Sequence, residues 1–173
     1  TTPSGERADG EAALPDLFAA WFAARGWSPR RHQLEMIAKA REGKSALLIA
    51  PTGGGKTLAG FLPSLIDLTQ RAPSAEPHGL HTLYISPLKA LAVDVARNLT
   101  APIAEMNLPI TVESRTGDSS VAKKQRQRIR PPDILLTTPE QLALFCAWEG
   151  SRLYFRDLKT VIIDEVHALH ASK

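Results

Sequence analysis

At 173 residues the chain has room for one domain of ordinary size, and 43% hydrophobic with 23% charged residues excludes disorder, collagen and coiled coil. Its longest apolar run, Phe18 to Ala24, is seven residues, against about 20 for a membrane span. One cysteine, Cys146, excludes an internal disulfide, and no secretory leader opens the sequence, so a reducing compartment is expected. The net charge of +3 is unevenly placed. Residues 115–130 hold Arg115, Lys123, Lys124, Arg126, Arg128 and Arg130 against Asp118, a local +5 that leaves −2 for the rest. Such an excess suits a phosphate backbone, and equally a solvated helix face.

Residues 1–13 mix small, charged and turn residues without period and read as a flexible tail. Leu14, Leu17, Phe18 and Trp21 then share one helical face, with Gly26 placed to end the helix. A second helix is expected over Arg31–Arg41, followed by Gly43. From there short apolar runs alternate with helical stripes. Strands are expected at Ser45–Ala50, Thr82–Ser86, Ile110–Glu113, Asp133–Thr137 and Thr160–Asp164, several apolar on both faces as buried parallel strands are. Leu58, Phe61, Leu62 and Leu65 form one helical stripe, which Pro63 should kink or break; Leu88, Leu91, Ala92, Val95 and Leu99 form another. Repeated strand–helix units predict an α/β fold with a mostly parallel sheet flanked by helices.

The strongest chemical signal is Ala50-Pro-Thr-Gly-Gly-Gly-Lys-Thr57, after an expected strand and opening an expected helix. Three glycines let backbone N–H groups turn around a phosphate, and the helix N-terminus adds its positive dipole end. Lys56 reaches the β- and γ-phosphates, and the Thr57 hydroxyl is placed for Mg²⁺. The second signal is Asp164-Glu165-Val166-His167 at the tip of a buried strand, where open α/β sheets bind ligands. Asp164 suits Mg²⁺, which keeps its water shell, and Glu165 suits the base that deprotonates an attacking water. Thr138-Pro-Glu-Gln141 reads as a capping box, Ser86-Pro87 as N-cap and N1, and Thr116-Gly117-Asp118 as a turn. Neither His78/His81 nor His167/His170 has a third ligand nearby in sequence, and both pairs read as non-metal.

In order along the chain, APTGGGKT (50–57), SPLKALA (86–92), Thr116-Gly117-Asp118, Thr138-Pro139-Glu140 and DEVH (164–167) resemble motifs I, Ia, the glycine-containing connecting motif, Ib and II of superfamily 2 helicases. The stretches GLHTLYISPLKALAVDVARNL and KQRQRIRPPDILLTTPEQLAL are similar to the large-helicase-related (Lhr) branch, and within it to bacterial ligase-associated DEXH-box DNA helicases. The resemblance covers roughly residues 14–173. It implies a RecA-like P-loop domain, the first of two in a motor. ATP and Mg²⁺ are the implied cofactors. Gln33, Thr52, Gly53, Gly54, Gly55, Lys56, Thr57 and Asp164 bind the nucleotide, Thr57 and Asp164 through the metal, and Lys56 and Glu165 are catalytic. Gln33 reads adenine, which an amide suits because it both donates and accepts.

The resemblance further implies that Ser86, Pro87, Lys89, Thr116, Gly117, Thr138, Pro139 and Glu140 contact the backbone of single-stranded DNA, with RNA the alternative. His167 couples the two sites. The missing partner is a second RecA-like domain, which supplies an arginine to the transferring phosphate; the sequence stops after motif II and reads as part of a longer protein. Further implications are 3′→5′ movement, a role in DNA repair with a DNA ligase or repair proteins as partners, no membrane, and a bacterial cytoplasmic, nucleoid-associated location. On its own such a piece is expected to bind nucleotide, hydrolyse slowly or only grip nucleic acid, and unwind nothing.

Overall fold

Four strands, each of four residues, form one all-parallel sheet in a computed structural model that describes residues 14–51, 53–72 and 78–169. They are β1 (Thr82–Ile85), β2 (Val112–Arg115), β3 (Ile134–Thr137) and β4 (Thr160–Ile163), in spatial order β2-β3-β1-β4. The helices are α1 (Asp16–Ala24), α2 (Arg31–Arg41), α3 (Lys56–Thr69), α4 (Lys89–Glu105), α5 (Val121–Ile129), α6 (Pro139–Cys146), α7 (Ser151–Tyr154) and α8 (Val166–Leu169). None among the described residues is long and apolar enough to cross a membrane. The chain divides into two compact units at Ile66/Asp67, inside α3.

In the first unit α1 buries Phe18, Trp21 and Phe22, and Gly26 ends it at φ +66°. Arg25 is held between two indole rings, 5.1 Å from Trp21 and 4.8 Å from Trp27. Residues 45–50 are not a strand. The apolar run is present, but among the described residues it has no ladder partner, and Leu47 and Ile49 are 78% and 86% exposed. An apolar run states a wish for burial without naming a hydrogen-bonding neighbour. Pro63 does not break α3, which runs unbroken over 14 residues. The residues around it, Phe61, Leu62, Ser64 and Leu65, are all buried, and that packing outweighs one lost helical hydrogen bond.

The second unit is built on the sheet. β1 and β3 are buried at every position, as strands covered on both faces must be. One face carries Leu83, Ile85 and Leu135, which cluster with Leu80, Phe145 of α6 and Tyr154 of α7. Alternation puts Tyr84, Ile134 and Leu136 on the opposite face. α4 packs across β2 and β3 through a stripe of Ala92, Val95, Leu99 and Ile103. Leu88 belongs to that stripe by spacing, yet it is the N-cap and is exposed.

Candidate functional site

Parallel strands end at one edge, and here their registers align. Ile85 pairs with Thr137 and Ile163, and Thr137 with Arg115, so the next residues, Thr116, Thr138, Ser86 and Asp164, stand in one row. Ser86 N–H donates to Thr137 O at 3.1 Å and Asp164 N–H to Ile85 O at 3.0 Å, extending the ladder one step into that row. The row joins three expected nucleic-acid motifs to the expected metal acid, with neighbours about 4.8 Å apart.

At the β4 end, the Asp164 carboxylate is held on both oxygens. Tyr84 Oη donates to Oδ2 at 2.8 Å, and the Glu165 N–H donates to Oδ1 at 2.8 Å. Glu165 adopts φ +51°, rare for a residue with a side chain. Its carboxylate lies 3.2 Å from His167 Nε2 at the exposed start of α8. Burial, then the Asp164 bond, push the Tyr84 hydroxyl far above the ordinary phenol range, so it stays protonated and donating.

Around the middle of the row, Lys89 of α4 reaches Asp118 at 3.2 Å, and its Nζ would lie 3.8 Å from a side chain placed at Gly117. Thr116-Gly117-Asp118 is the expected turn, with Thr116 N–H donating to Ser119 Oγ at 3.0 Å. The Thr138 hydroxyl and the Glu140 backbone N–H hydrogen-bond the Glu140 carboxylate and, with the charge of Lys89, hold it below its usual range. The structure therefore gathers Ser86, Lys89, Thr116, Gly117, Thr138 and Glu140. It also separates them by access: Ser86, Thr116 and Thr138 are buried, while Lys89, Gly117 and Glu140 are exposed.

Two capping expectations change. Thr138 is the N-cap of α6 with Pro139 at N1, but it makes no side-chain cap bond because its hydroxyl serves Glu140. Ser86 lies before the α4 cap; its Oγ accepts from Leu88 N–H at 3.2 Å and shapes the turn. The basic segment is a helix capped by Ser120, whose side chain accepts from Lys123 N–H. Several of its cations are engaged within the fold. Arg126 grips Glu113 through two bonds of 2.9 and 2.8 Å, Lys124 Nζ donates to Gly117 O at 2.8 Å, and Arg128 lies 4.9 Å over Trp148.

In the first unit, Gly53 and Gly55 take φ +77° and +73°, conformations glycine supplies without strain. A side chain at Gly54 would meet Pro51 O at 2.8 Å. The loop hands over to α3, whose first residue, Lys56, is exposed. Gln33 is brought to this loop. It is buried, its Oε1 accepts from Arg30 N–H at 2.9 Å, and its Nε2 donates to Gly55 O at 3.5 Å. Thr52 lies outside the described residues. Sequence reasoning missed Arg30, whose guanidinium would lie 3.8 Å from a side chain at Gly54, and Tyr84. The only signal for Tyr84 is a phenol in an otherwise aliphatic strand, two residues before Ser-Pro.

A glycine loop opening a helix and an acid-tipped parallel strand define an α/β domain of the phosphate-binding class. Residues 30–173 match the family model for the DEAD/DEAH box helicase, and the chain belongs to that family. It is 43% identical over 164 residues to an Lhr helicase and probable uracil glycosylase of Mycolicibacterium smegmatis, covering 88% of this chain and 11% of the relative. It is 38% identical over 164 residues to the ATP-dependent helicase Lhr-Core of Sulfolobus acidocaldarius, covering 90% and 18%. Among solved structures it is similar to the Mycobacterium smegmatis helicase Lhr bound to single-stranded DNA and AMP-PNP, at TM-score 0.81 and 40% identity over 94% of this chain and 21% of that one. The chain thus spans between a tenth and a fifth of the length of these relatives.

Proposed function

We propose that the chain is the N-terminal motor domain of an ATP-dependent DNA helicase or translocase, holding ATP–Mg²⁺ at its glycine loop and Asp164 and the backbone of single-stranded DNA along the strand tips. The observation that carries this reading is the register row. Thr116, Thr138, Ser86 and Asp164 follow one another along one sheet edge, which supports reading the metal acid and three nucleic-acid motifs as parts of one site. The M. smegmatis relative's complex with single-stranded DNA and AMP-PNP supports both ligands.

Within this reading Gly53, Gly54 and Gly55 would offer backbone N–H groups to phosphate, Lys56 would neutralise the β- and γ-phosphates, and Gln33 would read adenine. Among the described residues no three His, Cys, Asp or Glu side chains are grouped to cage a metal. Mg²⁺ needs no such cage, since it is commonly held by one or two carboxylates plus substrate phosphates, and hard oxygens on Thr57 and Asp164 fit it. When bound, the ion neutralises charge on the phosphates. Glu165 accepts a proton from the attacking water, and His167, in contact with Glu165, relays the state of that carboxylate.

On the nucleic-acid side Ser86, Pro87, Lys89, Thr116, Gly117, Thr138, Pro139 and Glu140 would line the backbone, with Lys89, Gly117 and Glu140 the exposed members. A second RecA-like domain completes the motor. DNA as the track accords with a cytoplasmic, nucleoid-associated repair role alongside a ligase or other repair proteins. Lys56→Ala in the full-length protein tests the reading: ATP binding and turnover should be abolished, with the thermal melt unchanged because the side chain is exposed. Normal ATP affinity and turnover in that variant would refute the nucleotide site. Stimulation of turnover by single-stranded DNA above that by RNA checks the track.

A further inference from the structure

We propose that Tyr84 is a positioning residue that fixes the Asp164 carboxylate for its ligand. The inference rests on the reading of Asp164 as a Mg²⁺ ligand and adds a residue that no motif contains.

The argument begins with the sheet register. Tyr84 pairs with Ile162 across the β1–β4 ladder, so Tyr84, Ile162 and Asp164 point to the same face, with Asp164 one pleat further on. A phenylalanine or leucine here would fill the same buried space; a tyrosine adds a hydroxyl that reaches one residue beyond the strand. That hydroxyl donates to Asp164 Oδ2 at 2.8 Å, while Oδ1 takes the Glu165 N–H. A carboxylate on a short side chain otherwise rotates freely about its terminal torsion. Two donors on opposite oxygens stop that rotation and leave each oxygen a further lone pair. Residues that orient a metal-binding carboxylate in this way affect metal affinity without touching the metal.

Two residues beyond Tyr84, Ser86 stands next to Asp164 in the row of strand tips. Its Oγ accepts from Leu88 N–H, immediately before α4. The turn that launches α4 and Lys89 therefore adjoins, along β1, the bond that holds Asp164. Tyr84, Ser86 and Asp164 are all on β1 or β4 or at their tips, inside one unit of the fold.

The test measures equilibrium binding of a fluorescent ATP analogue to the full-length protein as Mg²⁺ is titrated. Tyr84→Phe should raise the Mg²⁺ midpoint roughly tenfold, the lower end of the effect of removing a partner that orients a metal ligand. Affinity measured without Mg²⁺ should not change. Tyr84→Leu, which removes the same hydroxyl with different packing, should give the same shift, and neither should add to the effect of Asp164→Asn. Leu136→Val loosens the same sheet face without touching a polar group; it should lower the melting temperature and leave the midpoint alone. Midpoints for Phe and Leu at the parental value, or shifts that follow melting temperature across all three packing variants, would overturn the proposal. A parent protein whose analogue binding ignores Mg²⁺ would instead overturn the reading of Asp164 itself, and the role of Tyr84 with it.

Discussion

Glu165 holds a backbone conformation, φ +51°, that costs a residue with a side chain on the order of 1 kcal/mol. The turn directs the Glu165 N–H back to Asp164 Oδ1 and carries the chain into α8, so adjacent acids act in different directions. Glu165→Gln keeps the size, the turn and the N–H, and removes only the proton acceptor. Nucleotide affinity in the full-length protein should be retained while turnover falls about 10²–10⁴-fold, the usual scale for losing a general base. Stopped-flow nucleotide binding beside steady-state hydrolysis reads the two separately, and equal losses in both would make Glu165 part of the metal site. At this scale the sequence was informative about residue types and less so about what each side chain touches. Gln33 was legible as an amide near the loop; that its oxygen serves the Arg30 N–H is set by how α2 begins.

Among the elements, strands β1, β3 and β4 were readable to within one residue because their apolar runs are short and bounded by turn residues. β2 lies two residues further on than its apolar pattern places it. Its observed residues are Val112, Glu113, Ser114 and Arg115, and the Glu113 carboxylate and Arg115 Nη1 are engaged by contacts with α5 that no local pattern records. Arg115 shows how that works. It is 3% exposed, donates from Nη1 to Lys124 O at 3.0 Å, and lies 4.1 Å over the Phe145 ring, so one side chain fastens α5 and α6 to the end of β2. Burial, then the charge of Arg128, lower its affinity for the proton. Its Nε finds no hydrogen-bond partner among the described residues. Arg115→Lys retains the charge but loses the planar stack and the reach to α5. It should cost about 1–3 kcal/mol, seen as a lower urea midpoint at unchanged slope. The basic helix read equally as a phosphate-binding and as a solvated face; with Arg126 bound to Glu113 and Lys124 to Gly117 O, part of that charge holds α5 to its neighbours.

On the scale of the whole molecule, the distant contacts were the least legible. His81 and Asp67 stand 14 residues apart, and the structure joins them at 2.7 Å, with Thr82 at 2.8 Å on the other ring nitrogen and Lys159 at 3.1 Å on the same carboxylate. Burial lowers the His81 pKa below 6.5, outweighing the Asp67 carboxylate, with Arg71 and Lys159 adding to the lowering. Burial opposes ionisation of Asp67, yet His81 and Lys159 together hold its pKa below 3.8. For both groups the unfolded chain binds the proton more readily, so stability rises with pH through each window. It should be full above pH 6.5, decline as pH falls below that value until folded His81 itself protonates, and decline again below about pH 3.8. Urea unfolding followed from pH 8 to pH 3 checks this, and His81→Gln should remove the upper slope and weaken the lower one, which then rests on Lys159. The α/β class and parallel sheet follow from strand–helix alternation; that residues 45–50 form no strand does not, since hydrophobicity is indifferent to hydrogen-bond partners.

β4 closes one side of the sheet among the described residues, and half of the surface of Val161 and of Ile163 meets solvent there. Thr-Val-Ile-Ile is uncharged, rich in β-branched side chains and free of proline or a bulge, so nothing in it discourages another strand from adding alongside. Its pairing with β1 spans about 80 residues of chain, so during folding this segment waits unpaired longer than a local hairpin would. In the isolated 173-residue chain misassembly is expected to start here, and dilute refolding or a charged residue in place of Val161 should suppress it, as light scattering during refolding would show.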